Sequence, residues 1–81
     1  MRHFVVVLEW STDGDCGSNV IGVKHSLEDA KKLFAETAAE EREWAIDHEW
    51  IVYEDIDVSF DAGENGSYSN NHSRLYIQGV N

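Results

Sequence analysis

The sequence predicts an α+β domain in which one long helix packs on one face of a small antiparallel sheet. Residues 3–10 and 50–60 have the two-residue period of strands, and residues 26–47 repeat apolar side chains at helical spacing. The 81 residues suffice for a single domain, residues 1–81, with a thin core. The expected element order is β-β-α-β-β, or β-α-β-β if the second segment is a loop.

The first strand is expected over residues 3–10, with Phe4, Val6, Leu8 and Trp10 on one face. Residues 11–19 are rich in Gly, Asp, Ser and Asn, which are typical of turns, so a loop is expected there. Residues 20–23 are then a short second strand that pairs back on the first.

The helix is expected to start at Ser26, a favourable N-cap, and to run to about Asp47. Glu28 and Asp29 suit its first turn. Its apolar stripe consists of Leu27, Ala30, Phe34, Ala38 and Ala45. Glu41 falls inside that stripe, so its carboxylate must reach the rim of the core or find a partner there.

The longest strand is expected over residues 50–60, with Val52 and Phe60 on one face and Asp55 and Asp57 on the other. Residues 61–73 are mostly polar and predict a loop, and residues 75–80 predict the last strand. One helix laid across such an antiparallel sheet is the natural packing.

A single helix covers only one face of the sheet, and apolar side chains are expected on the other face as well. Monomers rarely expose large contiguous apolar patches, so a second chain is expected to cover that face, most simply in a homodimer. The alternative is a twisted sheet that exposes a few valines. The expected interface residues are Val5, Val7, Ile51, Tyr53 and Tyr76.

The whole net charge of −10 lies between residues 36 and 64, where eleven carboxylates face a single base, Arg42. Such a field repels nucleic acid and anionic membranes and attracts basic protein surfaces. Direct nucleic-acid binding and membrane binding are therefore not expected.

Four helical carboxylates, Glu36, Glu40, Glu43 and Asp47, step by four, three and four residues and so share one face opposite the apolar stripe. A solvated helix face gives the same pattern. However, the row has no interleaved lysines, and the acidity continues into the next strand. The expected partner-binding residues are these four together with Trp44, Asp55 and Asp57.

No residue spacing indicates catalysis or a structural metal. The segment from Asp13 to Asn19 departs from the EF-hand pattern, and a cation site made by Asp55, Asp57 and Asp61 would need the following loop to fold over it. The four histidines have no zinc-ligand spacing, and Cys16 lies among acidic residues that disfavour a thiolate. We expect no enzyme activity, no metal and no cofactor. A lone cysteine fits a cytoplasmic location.

The expected function is that of a non-enzymatic acidic protein that occupies a basic, nucleic-acid-binding surface on a partner protein. In size and charge the chain is similar to phage-encoded inhibitors that mimic DNA and block restriction or CRISPR enzymes. This resemblance is one of composition and implies an inhibitor that acts as a nucleic-acid mimic. The alternative is a homo-oligomeric small-molecule-binding or accessory protein with a pocket at the subunit interface.

Overall fold

A computed structural model describes residues 2–12, 15–64 and 71–80. Within these residues the elements are β1 (His3–Thr12), β2 (Asp15–Lys24), α1 (Leu27–Asp47), β3 (Ile51–Ile56), β4 (Ser59–Gly63) and β5 (His72–Val80). The strands form one antiparallel sheet in the order β2-β1-β5-β4-β3, and α1 packs against it. The predicted α+β class is confirmed, with one strand more than expected.

The second strand is longer than predicted. Residues 15–19, expected in a loop, belong to β2, where Gly17 pairs with Trp10 of β1. An edge strand needs hydrogen bonds on one side only, which weakens the usual penalty on polar and glycine residues. A Cβ atom at Gly17 would lie 2.8 Å from Cζ2 of Trp10, so the indole ring lies directly on this glycine. Asp13 and Gly14 fall outside the described residues.

The prediction of a single strand over residues 50–60 is wrong, because these residues form a hairpin of two strands. β3 ends at Ile56, a turn covers residues 57–58, and β4 begins at Ser59. The register of β3 also shifts between Val52 and Glu54, and this irregularity brings Asp55 opposite the buried Phe60. Asp55 therefore lies on the helix side of the sheet, the reverse of the prediction, because one extra residue inverts the alternation beyond it.

The core lies between α1 and the central strands. The helix contributes four buried residues, Ala30, Phe34, Ala38 and Ala45, and the sheet contributes Val6, Phe60, Ala62 and Leu75. These helix positions are the predicted stripe, except that Leu27 is 41% exposed. It is the first residue of α1, almost one turn before the first buried position. Three alanines on the buried stripe allow the helix backbone to lie close to the sheet.

Both ends of α1 are capped. The hydroxyl oxygen of Ser26 accepts a hydrogen bond of 3.1 Å from the backbone N–H of Asp29, as its N-cap position predicts. At the other end, Glu49 donates its backbone N–H to the carbonyl of Ile46 and Trp50 donates to that of Ala45. This is a Schellman motif, which places Glu49 at a left-handed position with φ of 59°.

Replacing Glu49 with glycine should raise the free energy of unfolding by about 1 kcal/mol, because glycine adopts positive φ without a Cβ clash. The matched control is Glu43→Gly at an exposed position in the C-terminal half of α1, which should lower the free energy of unfolding by about 1 kcal/mol. Urea denaturation followed by circular dichroism measures both. Equal destabilisation by the two glycines would contradict the capping geometry.

Candidate functional site

The four carboxylates of the predicted row are exposed on the outer side of α1. At about 100° per residue, Glu36, Glu40, Glu43 and Asp47 fall within an arc of about 60°. The buried positions Phe34, Ala38 and Ala45 lie on the opposite side of the same helix. The outer face of α1 is therefore a straight line of four negative charges that points away from the sheet. This acidic row is one candidate site.

Arg42, the sole base in the acidic segment, does not lie in this row. Its Nε and Nη2 atoms donate hydrogen bonds of 2.8 and 2.7 Å to the two carboxylate oxygens of Asp55. This bidentate contact lowers the pKa of Asp55 and raises that of Arg42. Both side chains are more than one-third exposed, so the pair adds little stability. Its main consequence is that Arg42 faces β3 rather than the acidic row.

The remaining predicted partner-binding residues lie elsewhere. Asp55 and Asp57 line a groove of about 380 Å³ between α1 and β3, together with Lys31 and Arg42. Two bases therefore stand beside these two carboxylates. Trp44 lies on another side of α1, where it contacts Trp50. The structure thus brings together the four helical carboxylates and separates them from Asp55 and Asp57.

The face of the sheet opposite α1 divides into an apolar part and a polar row. Val5 and Val7 lie in register beside Val23 and Val20 of β2, and Tyr76 of β5 pairs with Val7. Val20 and Val23 are 63% and 50% exposed. The apolar part of this face, made by these five residues, is not covered by any other described element of the chain.

The other two residues of the predicted interface lie outside this apolar part. The register places Ile51 on the same face but beyond a polar row that crosses the sheet, and Tyr53 sits at the irregularity of β3, 42% exposed. That polar row consists of Ser18, Glu9, Arg74, Asp61 and Glu54.

The polar row is joined to the apolar part through Tyr76. The Tyr76 hydroxyl donates a hydrogen bond of 2.9 Å to Glu9, which raises the pKa of the phenol. The guanidinium of Arg74 lies 5.3 Å from the centre of the Tyr76 ring, within cation–π range. Burial raises the pKa of Asp61, and the charge of Arg74 partly offsets that effect. Asp55 and Asp61 are on opposite faces of the sheet and do not form one cation site.

Because the apolar part of this face is uncovered, we still expect a dimer or higher oligomer. Light scattering at micromolar concentration should give more than one chain per particle, and Val7→Glu should give one, because a carboxylate cannot be buried unpaired in a dimer interface. Ser18→Glu, at an exposed position of the polar row, is the control and should leave the mass unchanged. A wild-type monomer, or a Val7→Glu variant of wild-type mass, would contradict the prediction.

The structure also assembles a cleft that the sequence did not predict. Trp10 of β1, Trp44 of α1 and Trp50 line it together with Glu41 and Ser73, and its volume is about 200 Å³. Trp44 and Trp50 meet edge to face, with ring centres 4.5 Å apart and planes at 87°. The one sequence signal that pointed to this cleft was the position of Glu41 within the apolar stripe. The pairing that brings Trp10 beside Ser73 has no local sequence signal.

Glu41 reaches the rim of the core and finds a partner there, as its position required. It is half-buried, and this burial raises the pKa of its carboxyl, which the hydrogen bond from Ser73 partly offsets. A raised carboxyl pKa stabilises the fold at low pH, and this contribution is lost as pH rises through the folded-state pKa. The lowered pKa of Asp55 acts in the opposite sense, since its contribution is lost as pH falls. Ionised Glu41 is therefore held at a free-energy cost near neutral pH.

Two kinds of functional feature are absent from the described residues. No group of three or more His, Cys, Asp or Glu side chains among them could hold a metal ion. No helix within the described ranges is long and apolar enough to cross a membrane. Comparisons with protein-family models, curated proteins and solved structures find no match to this chain.

Proposed function

We propose that the protein is a non-enzymatic acidic binding protein whose acidic row occupies a basic, nucleic-acid-binding surface on a partner protein. The observation that carries the proposal is the exposure of Glu36, Glu40, Glu43 and Asp47 along one side of α1 while Arg42 is held by Asp55 on another side. Arg42 thus does not screen the row, and the base that shares its face, Lys32, lies one turn before its first member. A cytoplasmic location belongs to the same proposal.

The spacing of the row supports a nucleic-acid-like surface. Four charges over residues 36–47 span about 16 Å at about 1.5 Å per residue, so neighbouring charges are about 5–6 Å apart along the helix axis. One strand of duplex DNA presents a phosphate per about 3.4 Å of axis, so the row has roughly 60% of the linear charge density of one strand. A basic groove built for phosphates would therefore meet several carboxylates at once.

The attachment of the helix supports the proposal further. The buried positions of α1 lie against the sheet, and hydrogen bonds cap both of its ends. A fixed helix holds its charges in place, so fewer side-chain and backbone conformations are lost on binding. An acidic segment without this support would lose more conformational freedom on binding the same partner.

The experiment is capture of partners on the immobilised protein. Lysate of the cells that encode the chain is applied at low salt, and bound proteins are released either by raising the salt or by adding duplex DNA. The proposal predicts basic nucleic-acid-binding proteins that both treatments release, because exposed charges are screened beyond a Debye length of about 8 Å at physiological ionic strength. Bound proteins that resist both treatments, or no capture at all, would contradict the proposal.

A further inference from the structure

We propose that the cleft between Trp10, Trp44, Trp50 and Glu41 binds an alkylated ammonium group, the head group of choline-like compounds and of trimethyllysine. This site is separate from the acidic row and does not depend on the proposed partner. The proposal rests on the shape of the cleft, the chemistry of its walls and the position of its single carboxylate.

Three indole rings form much of the wall of the cleft, beside Leu8, Thr12 and His72, and neighbouring residues hold the rings in place. All three tryptophans of the chain line it. Trp44 is held from one side by His48, whose ring stacks on it at 3.8 Å and whose Nδ1 lies 2.9 Å from the Trp44 carbonyl oxygen. Trp50 meets Trp44 at a right angle, and Trp10 lies against Gly17. Indole faces are the strongest cation–π partners among side chains, and fixed rings need no rearrangement to bind a cation.

The carboxylate of Glu41 gives the cleft its preference for positive charge. Ser73 donates one hydrogen bond to it, which leaves most of the acceptor positions of a carboxylate to a ligand. Glu40 adds further negative potential. A neutral side chain at position 41 would fill the apolar stripe without desolvating a charge, so packing gives no reason for a carboxylate here. A bound cation would compensate the charge.

The volume of the cleft and the atoms that line it limit the class of ligand that it can bind. A volume of about 200 Å³ is below the roughly 300–1,000 Å³ of pockets for drug-sized ligands, so the cleft admits a small head group. A hard metal ion needs six or more oxygen ligands, and the indole rings supply none. An anion is repelled by Glu41. An alkylated ammonium is weakly hydrated, positively charged and apolar on its surface, so it matches both the rings and the carboxylate.

Intrinsic tryptophan fluorescence tests the proposal, because every tryptophan of the chain lines the cleft. Choline is titrated into the protein at constant ionic strength, in parallel with 3,3-dimethylbutan-1-ol, which has the same shape without the charge. A trimethyllysine peptide and its unmodified counterpart form a second pair. We expect a saturable change with choline, with the trimethyllysine peptide or with both, and binding at least about tenfold weaker for each control compound. The tighter ligand identifies the source of the head group.

Two variants locate the binding. Glu41→Gln keeps the size of the side chain and should weaken binding by about tenfold or more, and Glu28→Gln removes the same charge from an exposed position in the first turn of α1 and should change it by less than about threefold. Circular dichroism should show both variants folded, with Glu41→Gln at least as stable as wild type at pH 7. Equal responses to choline and the neutral alcohol, no response to either ammonium compound, or equal weakening by both variants would overturn the proposal.

Discussion

Replacing Phe60 with alanine is expected to lower the free energy of unfolding by about 3–5 kcal/mol. Phe60 is fully buried in the core between α1 and the sheet, and its pairing partner on β5 is the equally buried Leu75. The Arg42 guanidinium lies 5.9 Å from the centre of the Phe60 ring, so the substitution also removes a contact that helps to direct Arg42. The loss combines reduced apolar burial with an unfilled cavity.

A chain of this length is expected to have a total stability of about 4–12 kcal/mol, so Phe60→Ala should remove between about a quarter and all of it. The melting temperature should fall by about 12 °C or more, since 1 kcal/mol corresponds to about 4–8 °C in a domain of this size. Tyr53→Ala removes an exposed aromatic side chain from the neighbouring strand and should cost less than about 1 kcal/mol. A cost below about 1 kcal/mol for Phe60→Ala would contradict the described core.

Reversing the charge of the acidic row is expected to weaken binding to the captured partner by about 100-fold or more, or about 2.7 kcal/mol. The variant carries Glu36→Lys, Glu40→Lys, Glu43→Lys and Asp47→Lys, which changes the net charge from −10 to −2. Lysines at positions 43 and 47, near the C-terminal end of α1, interact favourably with the helix dipole, and all four positions are exposed, so the fold should not be destabilised. Calorimetric titration of the partner gives the affinities.

The matched control reverses four exposed carboxylates outside the row and has the same net charge of −2. It carries Asp15→Lys, Glu28→Lys, Glu49→Lys and Glu64→Lys. If binding depends on the row, the control should retain an affinity within about tenfold of wild type, because distant exposed charges are screened. Equal losses in the two variants would mean that overall charge, and not the row, attracts the partner.

The helix could be predicted closely because its signals are local. Ser26 provides a side-chain cap, and the apolar residues recur with the helical period as far as Ala45. The one residue that broke the pattern, Glu41, also behaved as physical chemistry required, since its carboxyl reaches Ser73 at the rim of the core. Local periodicity and the cost of burying a charge were sufficient for these conclusions.

The sheet was predicted less well because its details depend on distant residues. The alternation over residues 50–60 continues through the turn, and residues 57–58 include no Gly or Asn to mark a hairpin. The irregularity between Val52 and Glu54 then places Asp55 on the helix side, where it pairs with Arg42. No local sequence pattern predicts such a shift of strand register, because a bulge depends on how the partner strand packs.

The two candidate sites also differ in how far they could be predicted from local sequence. The acidic row is a property of one helix and could be predicted from spacing alone. The aromatic cleft requires four segments to meet: the end of β1, the second half of α1, Trp50 between α1 and β3, and the start of β5. Trp10 reaches it because β1 pairs with β5, a pairing between residues more than sixty positions apart in the sequence. Sequence periodicity contains no information on that contact.

The central claim is that the outer face of α1 is the surface that binds the partner. The most direct measurement is a nuclear magnetic resonance titration, in which backbone amide shifts of the isotope-labelled protein are followed as the captured partner is added. We expect the largest changes on α1 between Glu36 and Asp47, and small changes at Val7, Val20 and Tyr76 on the opposite face of the sheet. Changes concentrated on that sheet face, with the amides of residues 36–47 unmoved, would contradict the claim.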